Sequence, residues 1–206
     1  MSGCAVAVFA RAPVPGAAKT RLIPMLGASG AAHLARQMLD HTLAQAVAAA
    51  IGPVTLYCTP DVTGPFLQAA AARHNVLLAA QGEGDLGARM QRALLHGLTT
   101  QASALVVGTD CPALDAAILR QAAYALTRHP AVFVPAWDGG YVLAGIACPL
   151  PGLFEAIAWS TDAVMAQTRQ RLVQLDVVAA ELAPLHDIDV PTDLIHVPEE
   201  WLTHEQ

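Results

Sequence analysis

Lys19, Thr20 and Arg21 put two cations and a hydroxyl side by side at the end of a loop that also holds Arg11, Pro13, Pro15 and Gly16. Lys19 is the only lysine in the chain; the other ten basic residues are arginines. A sequence that uses arginine everywhere else and one compact ammonium here points to a specific contact, such as a phosphate oxygen. A basic loop between a strand and a helix makes a phosphate cradle, and it equally makes a solvated turn. Asp110 follows an apolar run, within Gly108-Thr109-Asp110-Cys111-Pro112. A carboxylate so placed can hold Mg2+ or Mn2+ against phosphate oxygens, because hard cations take oxygen ligands and often only one or two from protein. Its other reading is a helix cap, a role for which Asp115 is better placed. Asp138 precedes Gly139 and Gly140, a pair that allows either close approach to a ligand or a tight turn. Asp187 and Asp189 flank Ile188 and share one side of an extended segment, where one of them can reach a metal. A helix start with Asp193 in its first turn accounts for the same residues.

These groups need a frame. The apolar run over 5–9 predicts a buried strand feeding the basic loop, and further strands are expected at 54–58, 76–78, 104–107, 132–134, 141–146 and 175–182. Leu34, Met38, Leu39, Leu43, Val47 and Ile51 recur mostly at fourfold spacing, which predicts an amphipathic helix ended by Gly52-Pro53. Other helices are expected at 61–73 with Asp61 as cap, from Leu86 through Met90, Leu94 and Leu98, at 115–127, at 153–157, at 161–172 capped by Ser160 or Thr161, and from Thr192. Strands alternating with helices of about a dozen residues imply right-handed crossovers and a mainly parallel sheet with helices on both faces, a three-layer α/β/α sandwich. The connection between the strands near Val132 and Tyr141 is too short for a parallel crossover, so one strand there is expected to be antiparallel. In such a sheet ligands bind beyond the carboxyl ends of the strands. The basic loop, Gly82-Glu83-Gly84-Asp85, Thr109-Asp110 and Asp138-Gly139-Gly140 all fall there.

Composition narrows the classes. With 206 residues, 54% hydrophobic and 14% charged, residues 1–206 read as a single globular domain. No apolar run is long enough to span a bilayer, and the first residues lack a signal-peptide pattern, so a cytoplasmic protein is expected. The net charge of -6 argues against a nucleic-acid binder, and four scattered cysteines argue against a disulfide framework or a structural zinc site. An apolar, low-charge chain is compatible with a homodimer. The glycines at 82, 84 and 87 do not follow the first strand as a dinucleotide fingerprint would, and Gly16 to Thr20 lacks Walker A spacing. Asp85 can simply cap the next helix. Trp159-Ser160-Thr161 is either an acceptor contact or a cap. No nucleophile elbow or paired-histidine metal motif is present.

Six ordered motifs carry a family resemblance: FARAPVPGAAKTRL, GDLGARM, GTDCP, PAWDGGYVLAG, WST and DIDVPTDL. From Phe9 to Leu194 the chain resembles the bacterial DUF2064 family, whose members are described as glycosyltransferases of the GT-A, nucleotide-diphospho-sugar transferase type. The same fold serves the guanylyltransferases of molybdenum cofactor and of phospholactate, and the latter is also similar at KTRL. The resemblance implies that Ala10, Arg11, Pro13, Gly16, Lys19, Thr20 and Arg21 hold nucleotide phosphates, with Gly82, Gly84, Asp85, Thr109 and Asp110 completing the nucleotide site. It implies metal ligation by Asp110 and Asp189. Asp138, Gly139, Gly140 and Tyr141, with Trp159, Ser160 and Thr161, would form the acceptor side. Thr192, where the family often has glutamate, and Ala88, where a longer polar residue is frequent, depart from the pattern without touching those ligands.

The function expected from these readings is metal-dependent transfer from a nucleotide-activated donor, a nucleotide sugar above all, to an unidentified small-molecule acceptor. Lys19, Arg21, Asp110 and Asp138 would be the catalytic set, the first three steadying the departing diphosphate and Asp138 taking the acceptor proton. Nucleotidyl transfer releasing pyrophosphate from an NTP is the alternative, and a non-catalytic nucleotide-binding domain is a third. The missing glycine-rich LxGGxSxRM opening of many nucleotidyltransferases favours glycosyl transfer.

Overall fold

Alternate residues of the first strand bury themselves on opposite faces, and this sets the layers. In β1 (Cys4–Arg11), Val6, Val8 and Ala10 enter one hydrophobic cluster while Ala7 enters another. The first cluster takes Leu39 and Leu43 of α1 (Ile23–Ala49), Leu67, Ala70 and Ala71 of α2 (Pro65–His74), and Leu119 and Ala122 of α4 (Ala116–Ala125). The second takes Met90 and Leu94 of α3 (Leu86–Leu98) and Met165 and Leu172 of α5 (Val164–Gln174). Helices therefore cover both faces, as the sandwich expectation requires. The computed structural model describes residues 3–60 and 62–202; the expected cap Asp61 lies outside the described residues.

The remaining strands are β2 (Val54–Thr59), β3 (Leu77–Ala80), β4 (Ser103–Val107), β5 (Ala131–Pro135), β6 (Tyr141–Ile146) and β7 (Ala180–Glu181). They form one sheet in the order β3-β2-β1-β4-β6-β5-β7. β6 alone runs antiparallel to its neighbours, pairing Val107 with Leu143 on one side and Val134 with Leu143 on the other. The chain winds outward from β1 to β3, then returns to β4 on the other side of β1. That reversal opens a crevice above the carboxyl ends of β1 and β4.

Several local expectations fail for identifiable reasons. Val47 is 45% exposed, so it is off the buried stripe of α1. That helix begins earlier than the fourfold pattern suggested and breaks at Gly27 (φ 70). Residues 153–157 form turns instead of a helix: Gly152 and Ala156 both adopt left-handed backbone, while Leu153, Phe154 and Ile157 bury as anchors. The expected strand over 175–182 shrinks to two paired residues. α2 starts at Pro65 with Gly64 at its cap position, and α5 starts at Val164 without a side-chain cap. Thr161 instead donates its hydroxyl to the Ala158 carbonyl and accepts from the Ala163 amide.

A third cluster was not foreseen. Ile188 and Val197, with Leu194, Trp201 and Leu202 beside them, pack on Leu22, Leu34 and Met38. The segment from Ile188 through α6 (Glu199–Leu202) is thus fastened over the start of α1, and its 3-10 turn Pro191–His196 opens with Asp193 accepting from the Asp189 and Val190 amides at 2.8 Å each. Among the described residues no helix is long and apolar enough to cross a membrane.

Candidate functional site

The crevice holds two adjoining chambers, of about 840 and 410 Å3, which share Phe9, Arg21, Leu86, Gly108, Asp110 and Asp189. The smaller lies over β1 to β3, and the larger over β4 to β6.

The loop after β1 shapes the smaller chamber. Ala17 and Ala18 donate their amides to the Val14 carbonyl, Gly16 turns at φ 81, and Lys19 enters the 3-10 turn Thr20–Leu22 in left-handed conformation (φ 47). A side chain in that region costs on the order of 1 kcal/mol and persists only where the surroundings fix it. Here Leu22 is fully buried below the turn, and the Lys19 ammonium is held from above. Lys19 Nζ lies 2.9 Å from an Asp110 carboxylate oxygen and also donates to the Ile188 carbonyl. Only 8% of the lysine side chain is exposed, against 52% for Asp110, so the ammonium is the enclosed partner and the carboxylate reaches into the crevice. Two residues on, Arg21 pairs with Asp189. The Ile188 amide donates to the Asp110 carbonyl at 2.8 Å, which ties the carboxyl end of β4 to the C-terminal segment. Both expected cations thus stand directly against both expected metal-binding carboxylates.

Asp115 caps α4 by accepting from the Ile118 amide at 2.8 Å, which leaves the Asp110 side chain available to the crevice. Ala10, Arg11, Lys19, Thr20, Arg21, Thr109 and Asp110 line the smaller chamber, whereas Pro13 and Gly16 only shape the loop behind it. Gly82, Gly84 and Asp85 line neither chamber. Asp85 caps α3 through the Ala88 amide, and Arg89 and Arg92 staple the loop by donating to the carbonyls of Gly84, Gln81 and Glu83. What that loop does contribute is Gln81, buried, whose side-chain amide donates to the Ala10 and Tyr57 carbonyls.

The larger chamber is walled by Trp137, Tyr141 and Trp159, with Asp138, Gly140, Ser160 and Thr161 among its polar lining. Tyr141 and Trp159 meet edge to face at 6.3 Å. Burial raises the Tyr141 hydroxyl above its ordinary value, with Thr168 partly opposing it, so it stays protonated. Trp137 stacks on His186, which stacks in turn on His196 at 4.0 Å. Asp138 accepts from the Gly140 amide at 2.8 Å. Gly139 does not line the chamber: a Cβ there would lie 2.1 Å from the Asp162 carbonyl, so its glycine serves packing against the start of α5.

Asp187 sits where the carboxylates crowd. Its pKa is raised from 3.8 to about 6, first by burial and then by the Asp138 charge, with Lys19 pulling the other way. Sequence reasoning weighed Asp187 only beside Asp189, and missed Gln81, Asp162 and the Trp137–His186 stack. A tryptophan directly before Asp138 was the one available signal for the stack; the rest arise from packing between distant segments.

The model of the family described as "Uncharacterized protein conserved in bacteria (DUF2064)" matches residues 42–161, which include Asp110, Asp138 and Trp159. No curated protein matches the chain. A provisionally named nucleotide-diphospho-sugar transferase from Desulfovibrio desulfuricans G20 superposes with a TM-score of 0.85 at 27% identity, covering 94% of this chain and 85% of that one. A nucleotidyl transferase from Methanothermobacter shares the fold at a TM-score of 0.64 and 13% identity, covering 97% and 98%. Glucosyl-3-phosphoglycerate synthase from Mycobacterium tuberculosis, in complex with Mn2+, UDP and its product, does so at 0.58 and 8%, covering 94% and 75%. The fold is that of the nucleotide-diphospho-sugar transferases, and the chain belongs to the DUF2064 family.

Proposed function

We propose that this protein is a metal-dependent transferase that uses a nucleotide-activated donor, and that the reaction is glycosyl transfer from a nucleotide sugar to a small acceptor. One observation carries the reading: Lys19 and Arg21 face Asp110 and Asp189 at the seam of two chambers. A diphosphate at that seam meets cations from the loop, and the carboxylates lie opposite.

The carboxylates suit a hard divalent cation. All are oxygen donors, and Asp187 resists ionisation first because it is buried and then because the Asp138 charge stands near it. Among the described residues no three acidic, histidine or cysteine groups form a ready metal cage. Mg2+ and Mn2+ keep several waters and complete their shells with substrate phosphates, so they can be held by one or two carboxylates. Asp110 with Asp189 or Asp187 would hold the ion, which supplies charge neutralisation to the diphosphate.

The protein's own groups do the rest. Lys19 and Arg21 bind and orient the phosphates, and Gln81 and Phe9 shape the chamber beside them. Asp138, on the acceptor side, accepts the proton of the attacking hydroxyl. The hydroxyl oxygen bonds to the sugar carbon, the carbon–phosphate-oxygen bond breaks, and its electron pair leaves with the nucleoside diphosphate.

Thermal shift with nucleoside diphosphates and nucleotide sugars, with and without Mg2+ or Mn2+, tests the reading. A ligand that binds only the folded state raises Tm by mass action. A metal-dependent shift that Asp110→Ala removes is expected; no shift with any nucleotide, or equal shifts for both proteins, refutes it. Product analysis then separates the chemistries, since nucleoside diphosphate marks glycosyl transfer and pyrophosphate from an NTP marks nucleotidyl transfer.

A further inference from the structure

The two chambers carry opposite charge. Arg11, Lys19 and Arg21 line the smaller one. The larger is lined by Asp110, Asp138, Asp162, Asp187, Asp189 and Asp193, and Arg21 is its sole arginine or lysine. That arginine is already paired with Asp189. A bound divalent cation would leave this wall net negative. At about 840 Å3 the chamber is large enough for a whole small molecule, and it also offers the rings of Trp137, Tyr141 and Trp159.

We propose that the larger chamber selects a neutral or cationic acceptor that bears a hydroxyl and a flat apolar face, and that it rejects phosphorylated or carboxylated molecules. This rests on the reading that the smaller chamber holds the nucleotide. An anion entering would face several carboxylates with no uncommitted lysine or arginine to receive it, and like charges at close range discriminate strongly. The flat face is argued from Trp137, 64% exposed and backed by His186 and His196 as a continuous stack. This selection bears on the reaction too. A nucleotidyl transfer to a phosphorylated attacker is disfavoured by this wall, whereas a neutral hydroxyl attacking a sugar carbon meets no such repulsion.

Three probes share a phenol ring and differ in charge: tyrosol is neutral, tyramine cationic and 4-hydroxyphenylacetate anionic. Their binding to the full chain, with and without UDP, GDP, CDP or ADP and Mg2+, is read by saturation-transfer NMR titration. Tyrosol and tyramine should bind at least about tenfold more tightly than the anion. Asp138→Asn with Asp162→Asn should close that gap to roughly threefold, and Trp137→Ala, at an exposed position, should weaken all three alike. Equal or tighter binding of the anion overturns the proposal, as does an unchanged gap in the double variant or no binding of any probe. If the charge ranking holds while no nucleotide binds, the transferase reading fails and the selectivity stands. Nucleotide binding with the ranking lost is the reverse result.

Discussion

The chamber over β1 to β3 and the chamber over β4 to β6 are built from different kinds of sequence information. The cations of the first come from one contiguous stretch: Arg11 at the end of β1, and Lys19 and Arg21 from the chain between β1 and α1. The second gathers Asp110, Asp138, Asp162 and Asp187 from four separate segments, joined around the antiparallel β6. The basic half is therefore a local device and the acidic half a tertiary one. Substitutions should affect them differently.

The largest effect is expected at the seam. Asp110→Ala should abolish the metal-dependent part of nucleotide binding and lower any turnover by roughly 10²-fold or more, as the loss of a central electrostatic group does. Calorimetry with and without Mn2+ checks this; an unaltered metal dependence would detach Asp110 from the diphosphate. Lys19→Ala should split the two halves, weakening nucleotide binding by roughly tenfold or more while strengthening Mn2+ binding in the absence of nucleotide. The ammonium 2.9 Å from Asp110 competes with a cation for that carboxylate. Parallel losses in both titrations would show that the pair acts as one unit.

A smaller effect belongs to Asp187. Its folded pKa of about 6 lies above its ordinary 3.8, so its proton is held more tightly in the folded state. The associated stability is present below the ordinary value and is lost as pH rises through about 6. Asp187→Asn should therefore raise Tm above pH 7 relative to the native protein, an advantage that shrinks below pH 5, while weakening Mn2+ binding. A Tm difference without pH dependence would place the crowding elsewhere. The smallest change is Asp85→Ala, which removes a cap and should cost about 0.5–2 kcal/mol in denaturant unfolding. Nucleotide affinity should hold; a marked drop would return the Gly82–Asp85 loop to the site.

The same contrast governs what the sequence disclosed. The strands, their mainly parallel order and the loop with Lys19 were legible because each rests on local periodicity or on adjacent residue types. Asp110 could be separated from a capping role because Asp115 sits one turn away, and the Asp115 contact to Ile118 agrees. Asp85 could be read either way, and its bond to the Ala88 amide shows the cap. Gly139 was open to either ligand approach or a tight turn, and what it accommodates is the Asp162 carbonyl. No local pattern announces that contact, or Gln81 bridging β1 and β2, or His186 stacking under Trp137. The short β7 was overread for a related reason: Leu175 and Val178 look like strand residues but are exposed, and hydropathy alone does not say which β-branched residues find a partner.

The fastening of Ile188 between Lys19 and Asp110 has a consequence for timing. The contacts that draw Lys19 and Arg21 to the C-terminal segment span 169 and 168 residues of chain. During synthesis the first strands and their basic loop emerge early, but a nascent chain that stops short of residue 187 has no acidic partner for Arg21 and no carbonyl to hold the Lys19 ammonium. The strained backbone at Lys19 then keeps Leu22 and Asp110 but lacks the Ile188 carbonyl. The contacts of residues 188 and 189 to the basic loop thus form only after most of the sheet is available to fold.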